Sequence, residues 1–196
     1  MSEYTKIVGM TGGMGAGKST MINVALEMGI PIFDYDYHVR KAYEDQEFAN
    51  FVGRAIYLNE ETVTKAMVAE AIVADPTKLP VVERCVMAKI EKEFAEVKAT
   101  NPAPFLLVDA PMLFEMGWDQ ECDFVIAIQC PREIREERVM KRPGMTAEKM
   151  KLLMDKQMSE EDRLLKGQFI IHTNQPVEKS IRSMGGILDH LREFYA

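Results

Sequence analysis

Gly12-Gly13-Met14-Gly15-Ala16-Gly17-Lys18-Ser19 is a complete G-x-x-x-x-G-K-[ST] run, and its reading decides the fold. Glycine lets a backbone approach phosphate oxygens that a Cβ would hold away. Successive N–H groups then form an anion nest, backed by the positive end of the helix that follows. Lys18 is placed to reach the β- and γ-phosphates of a nucleotide, and the Ser19 hydroxyl to meet Mg²⁺. The expected phosphate cradle is Gly13, Met14, Gly15, Ala16, Gly17, Lys18, Ser19 and Thr20. The flanks suit the motif. Residues 6–10 read as a short buried strand, and residues 20–28 as a helix that stops at Gly29. A glycine-rich turn that binds nothing needs neither Lys18 nor Ser19.

Working outward, the chain has 196 residues, enough for one domain with an insertion. Its composition, 47% hydrophobic and 28% charged, is that of an α/β protein with a full core. The 15 methionines read as core filling. A net charge of −7 makes a poor polyelectrolyte partner for nucleic acid, so an anion site must be built from local cations. Cys85, Cys122 and Cys130 form no C-x-x-C pair, which argues against a disulfide framework and a zinc site. No apolar run approaches a membrane span, and the expected setting is the cytoplasm.

Further short apolar runs at 31–33, 105–108, 123–128 and 169–171 lack alternation, as parallel strands buried on both faces do. With the first strand they predict a five-stranded parallel sheet with flanking helices. The stretch 36–100 is helical in pattern, with starts at Asn59 and at Asp75-Pro76. A helix is expected from Pro131 to about 142, a second capped by Thr146 and reaching about 166, and a last one from Pro176.

Asp34-Tyr35-Asp36 leaves the end of the second strand, where ligands bind in open α/β sheets. Asp34 is the candidate general base for a substrate hydroxyl, and Asp36 a helix cap or metal-shell group. Arg40, one turn on, holds a substrate phosphate or pairs with Asp36. Asp109 follows a third apolar strand and is the candidate Mg²⁺ orienter, directly or through water. Glu115 reads as structural. Arg135, Arg138 and Arg142 share one helix face among glutamates, which suits a solvated ion-paired helix for Arg135. Arg142 lies where the helix breaks at Pro143-Gly144, as an arginine on a closing flap would.

Together these residues resemble the dephospho-coenzyme A kinase family over nearly the whole chain. The resemblance is carried by residues 9–20, by Asp34-Tyr35-Asp36 with Arg40, by Asp109-Ala110-Pro111-Met112-Leu113-Phe114-Glu115, by residues 138–142, and by Gln157 and Arg163. It implies a P-loop kinase fold in three parts. The nucleotide core would be 1–35, 101–142 and 167–196, the helical acceptor subdomain 36–100, and the lid 143–166. It implies transfer of the ATP γ-phosphate to the ribose 3′-hydroxyl of dephospho-coenzyme A, the last step of coenzyme A biosynthesis, with Mg²⁺. Asp34 would be the base, Arg138 and Arg142 the lid arginines, and Thr173 or Asn174 would lie by the adenine. Asp36, Arg40, Lys65, Pro111 and Leu113 would face the acceptor.

The chain departs from the family pattern at several places. Tyr35 replaces an alanine, Lys65 an arginine, and Arg135 a glutamine. Residues 85–90 lack a His-Pro pair, and Gly167-Gln168 replaces Ala-Asp. Most departures fall in the acceptor region and the last nucleotide loop. They leave a nucleoside or deoxynucleoside monophosphate kinase as the competing reading. A guanine-nucleotide switch would need N-K-x-D, which is absent. A non-catalytic nucleotide-binding module would have no need of Lys18, Asp34 and Arg142 together.

Overall fold

The computed structural model describes residues 5–58 and 60–195. Its strands are β1 (Lys6–Gly12), β2 (Ile32–Asp34), β3 (Phe105–Asp109), β4 (Phe124–Gln129) and β5 (Phe169–His172), in one sheet of order β2-β3-β1-β4-β5. β1 runs parallel to both neighbours, with Met10 opposite Asp109 on one side and Ile126 on the other. β4 and β5 are also parallel, with Ile128 opposite Ile171. The helices among the described residues are α1 (Lys18–Glu27), α2 (Tyr35–Ala42), α3 (Gln46–Ala55), α4 (Lys65–Ala74), α5 (Leu79–Thr100), α6 (Arg132–Met140), α7 (Ala147–Met154), α8 (Glu160–Lys166) and α9 (Val177–Tyr195). The chain divides into two compact units, one reaching Phe33 and resuming at Asn101, the other Asp34–Thr100.

In the first unit, side chains on both faces of the sheet are buried, because parallel connections lay helices over both. Val8, Met10, Leu107, Ile126, Ile128 and Ile171 form one core with Met21 and Ala25 of α1 and Met184, Leu188 and Leu191 of α9. Each of these side chains larger than that of Ala25 contributes about 1.5–3 kcal/mol by leaving water. Met10, Met21 and Met184 are core filling, as expected. Asp123 lies just before β4. Its carboxylate accepts the Ile7 N–H at 2.8 Å and pairs with Lys6 at 2.9 Å.

One helix expectation needs correction. The stretch after Thr146 is two helices. Thr146 caps α7 by accepting the Lys149 N–H at 3.2 Å. The helix stops at Met154, and Ser159 caps α8 by accepting the Asp162 N–H at 3.1 Å. Ser159 before Glu160-Glu161-Asp162 is a helix start.

The second unit is helical. Asp45 and Thr64 cap α3 and α4. Asp75 accepts the Thr77 N–H, and Pro76 opens a 3₁₀ turn that runs into α5, as the Asp-Pro pair predicts. The expected start at Asn59 lies outside the described residues. α5 buries Val82, Val86, Ile90 and Phe94, one stripe at fourfold spacing, and packs against α2 and α3. No helix among the described residues is long and apolar enough to cross a membrane.

Candidate nucleotide-binding site

The glycine loop runs from the end of β1 to the start of α1. Ala16 N–H donates to the Gly13 carbonyl at 2.9 Å, and Gly15, at φ 81°, is the third residue of that turn. A positive φ at this position is what a type II turn requires. Gly17, at φ 94°, takes the left-handed conformation just before α1. The glycines also answer to a neighbour. A Cβ on Gly13 would overlap the Arg135 guanidinium, and one on Gly15 would lie 2.7 Å from the Arg135 carbonyl oxygen. The loop is therefore packed tightly on α6.

Its carbonyls are held from outside. Arg138 donates to the Gly15 carbonyl at 3.3 Å and to the Thr173 carbonyl at 2.7 Å. The Thr173 hydroxyl donates to the Ala16 carbonyl at 2.5 Å. Within one peptide the C=O and N–H point opposite ways, so holding the Ala16 carbonyl turns the Gly17 N–H to the other side. Lys18, at the start of α1, forms an ion pair with Asp109, the last residue of β3. Ser19 is exposed in the first turn of α1.

Beneath the loop lies a buried charge network. Arg135 is only 8% exposed; its Nε donates to the Cys130 carbonyl at 3.0 Å, and Nη2 is 3.1 Å from Glu160 Oε2. Arg163, 1% exposed, stands between Glu160 at 3.7 Å and Glu115 at 3.6 Å. Burial draws the Arg163 pKa down, and the two glutamates oppose that. Glu115 also accepts the Met158 N–H at 2.7 Å, the structural role its sequence position suggests. Gln157 Oε1 accepts the Met14 N–H at 2.8 Å. Arg142 is exposed, and its side chain has no hydrogen bond or ion pair among the described residues.

In the helical unit, Asp34 ends β2 and caps α2, accepting the Tyr37 N–H at 2.8 Å. Asp36 is exposed in the first turn. Arg40 is exposed and has no ion pair among the described residues. Lys65 begins α4, with its ammonium 5.8 Å from the centre of the Tyr43 ring. Tyr35 is buried and donates from its hydroxyl to Met87 Sδ at 3.1 Å. Burial, with Asp36, Glu91 and Glu83 nearby, pushes its pKa up to about 12. A groove of about 440 Å³ follows α5 past Pro80, Glu83, Arg84, Met87, Ala88 and Glu91.

A sequence profile of the Dephospho-CoA kinase family matches residues 6–179. The chain belongs to that family. A dephospho-CoA kinase of Rhizobium meliloti is 33% identical over 193 residues, covering 95% of this chain and 98% of that one. The crystal structure of TT1252 from Thermus thermophilus superposes with a TM-score of 0.84 at 26% identity, covering 96% of this chain and 99% of that one. A dephospho-CoA kinase from Campylobacter jejuni shares the fold, with a TM-score of 0.65 at 21% identity and coverage of 94% and 96%.

Against the family pattern, several residues take places the sequence did not suggest. The cap of α2 is Asp34 and not Asp36. Thr173, expected beside the adenine, is buried with its hydroxyl committed to the loop, while Asn174 is exposed. Leu113, expected at the acceptor, is fully buried and fills the space beside Gly9. Pro111 is half-buried, its carbonyl accepting from the Thr11 hydroxyl at 3.1 Å. Arg135 is not on a solvated helix face, because its partner is Glu160 of α8. Two family departures, Tyr35 and Arg135, are thus buried, each with its own partner.

Proposed function

We propose that the protein transfers the γ-phosphate of ATP to the ribose 3′-hydroxyl of dephospho-coenzyme A, as the last step of coenzyme A biosynthesis in the cytoplasm. Family membership supports the reaction. The single structural observation that carries it is the Lys18–Asp109 pair beside a glycine loop whose carbonyls are already held by Arg138 and Thr173. Charge stabilisation in phosphoryl transfer depends on such groups being in place beforehand.

In this reading the loop amides and Lys18 hold the ATP phosphates. The Ser19 hydroxyl and the Asp109 carboxylate are the oxygen donors that would hold Mg²⁺, directly or through water. Few protein donors, with phosphate and water oxygens completing the shell, is the usual arrangement for this ion. A Mg²⁺ ion held by these two residues would supply neutralisation of the charge on the ATP phosphates. Asp34 takes the proton of the 3′-hydroxyl as that oxygen bonds to the γ-phosphorus, and the bond from phosphorus to the β-phosphate oxygen breaks to release ADP. Asp34 ends β2, and open α/β sheets bind ligands beyond the carboxyl ends of their strands. Arg142 closes over the transferring group, while Arg138, expected beside it on the lid, keeps its guanidinium on the loop carbonyls. Asn174 lies towards the adenine, and Asp36, Arg40 and Lys65 face the acceptor.

The test is ADP release from ATP and Mg²⁺ with a panel of hydroxyl acceptors. Turnover of dephospho-coenzyme A is expected, with nucleoside monophosphates inert. The reverse pattern would move the protein to the monophosphate kinases.

A further inference from the structure

We infer that Gln157 is a positioning residue for the phosphate loop, fixing the Met14 peptide and with it the turn on which ATP phosphates rest. The inference builds on the nucleotide reading above. Met14 is the second residue of the turn closed by Gly13 and Ala16, and the turn itself makes no use of the Met14 N–H. That donor goes instead to Gln157 Oε1 at 2.8 Å, from the segment between α7 and α8. A peptide whose N–H had no fixed partner would be free to rotate, and the turn depends on Gly15 staying at φ 81°.

Gln157 can do this because its own segment is held at several points. Its N–H donates to the Met154 carbonyl at 3.1 Å. The next N–H, of Met158, donates to Glu115 at 2.7 Å, and the Met158 carbonyl accepts from Arg163 at 3.0 Å. Glu160 accepts the Cys130 N–H at 3.3 Å and pairs with Arg135 at 3.1 Å. Arg135 in turn lies against Gly13, where a Cβ would overlap it. One short segment therefore grips the loop tip twice, directly at Met14 through Gln157, and at Gly13 through Glu160 and Arg135.

The residue type fits the task. An N–H needs an acceptor, and glutamine supplies one without charge. A carboxylate would accept equally well but would set a negative charge against the incoming phosphates.

The test uses the full chain and two variants. Gln157→Met keeps the length and removes the acceptor. In the nucleotide-free protein, amide exchange at Met14 should quicken roughly tenfold, read by NMR, with Tm lowered by no more than about 2–4 °C, the effect of about 1 kcal/mol. The KM for ATP should rise roughly 3- to 10-fold, the factor one neutral hydrogen bond supports, while the KM for the hydroxyl acceptor stays put. Gln157→Glu should keep Met14 protected yet still raise the KM for ATP. Unchanged exchange at Met14 in Gln157→Met overturns the inference. So does faster exchange with the two KM values moving together or not at all, or loss of the fold, which would make the residue merely structural. Failure of the unaltered chain to bind ATP counts separately, against the nucleotide reading, because the exchange contrast is measured without nucleotide.

Discussion

The two compact units handle charge in opposite ways. In the unit carrying the phosphate loop, Arg135 and Arg163 are buried and committed to Glu160 and Glu115, and Lys18 is paired with Asp109. In the unit Asp34–Thr100, Asp36, Arg40 and Lys65 lie at the surface, and the notable buried polar group is a neutral phenol, Tyr35. A site for a triphosphate gains from groups fixed in advance, because reorganising them during transfer would cost free energy. Exposed side chains on helices can instead adjust to a ligand when it arrives, which suits the acceptor role proposed for Asp36, Arg40 and Lys65. In the first unit, then, function and stability should fall together on substitution. In the second they should separate.

Asp34→Asn is the sharpest case of separation. Asparagine caps a helix about as well as aspartate, so the Tyr37 N–H keeps its acceptor and α2 its stability. If Asp34 is the general base proposed above, turnover should fall roughly 10²- to 10⁴-fold with ATP affinity kept. Single-turnover ADP release and equilibrium ATP binding check the two halves. Near-normal turnover would remove Asp34 from the chemistry.

Glu160→Gln tests the opposite regime. It leaves Arg135 and Arg163 buried without their shared carboxylate, at a cost of about 3 kcal/mol. For a chain this size that is a drop of roughly 6–12 °C in Tm. ATP affinity should weaken with it, since Arg135 lies under Gly13. Adding Arg135→Gln should recover part of the loss, because a buried pair removed whole costs less than one broken. A stable Glu160→Gln chain with weakened ATP binding would break the claimed link.

How much of this was legible in the sequence depends on how far apart the partners sit. Strand, loop and helix around Lys18 are local in the chain, so the pattern of glycines and apolar runs exposes them. Asp75-Pro76 is legible for the same reason. Arg135 is not, because its neighbours Glu133, Glu136 and Glu137 give it the look of a surface residue, while its partner Glu160 lies on another helix. The glycines read as phosphate ligands alone, although Gly13 and Gly15 also make room for α6. The break between α7 and α8 was hidden by helix-forming residues on both sides of Ser159. For Thr173 and Leu113 the sequence offers only the family resemblance; what it does not show is that the Thr173 hydroxyl is bonded to the loop and that Leu113 is fully buried.

Arg40→Ala should show the milder separation on the acceptor side. The residue is exposed and has no ion pair among the described residues, so Tm should stay within the change that about 0.5 kcal/mol allows. If its guanidinium meets an acceptor phosphate, the acceptor KM should rise roughly tenfold, the loss expected for one charged hydrogen bond, with the ATP KM unmoved. Steady-state kinetics in both substrates decides it. A change confined to ATP would assign Arg40 to the donor instead.

The smallest effect belongs to Tyr35→Phe, and it tests the claim that the buried polar group of the helical unit is there as a neutral one. Near neutral pH the variant loses the contact to Met87 Sδ, worth less than about 1 kcal/mol. At high pH the sign reverses. The phenol titrates near 10 in the unfolded chain and at about 12 when folded, chiefly because burial penalises the anion. Unfolding then releases a proton between those values, so its contribution is full below pH 10 and is lost as pH rises towards 12. Phenylalanine cannot ionise and carries no such loss. Denaturant midpoints at pH 8 and pH 11 should therefore differ less for Tyr35→Phe than for the unaltered chain. Some dependence should remain, since burial raises the Tyr43 pKa too. Equal losses in both chains would mean that the Tyr35 hydroxyl reaches water in the folded state, and the contrast between a unit that buries paired charges and one that buries a neutral phenol would fail at its weaker end.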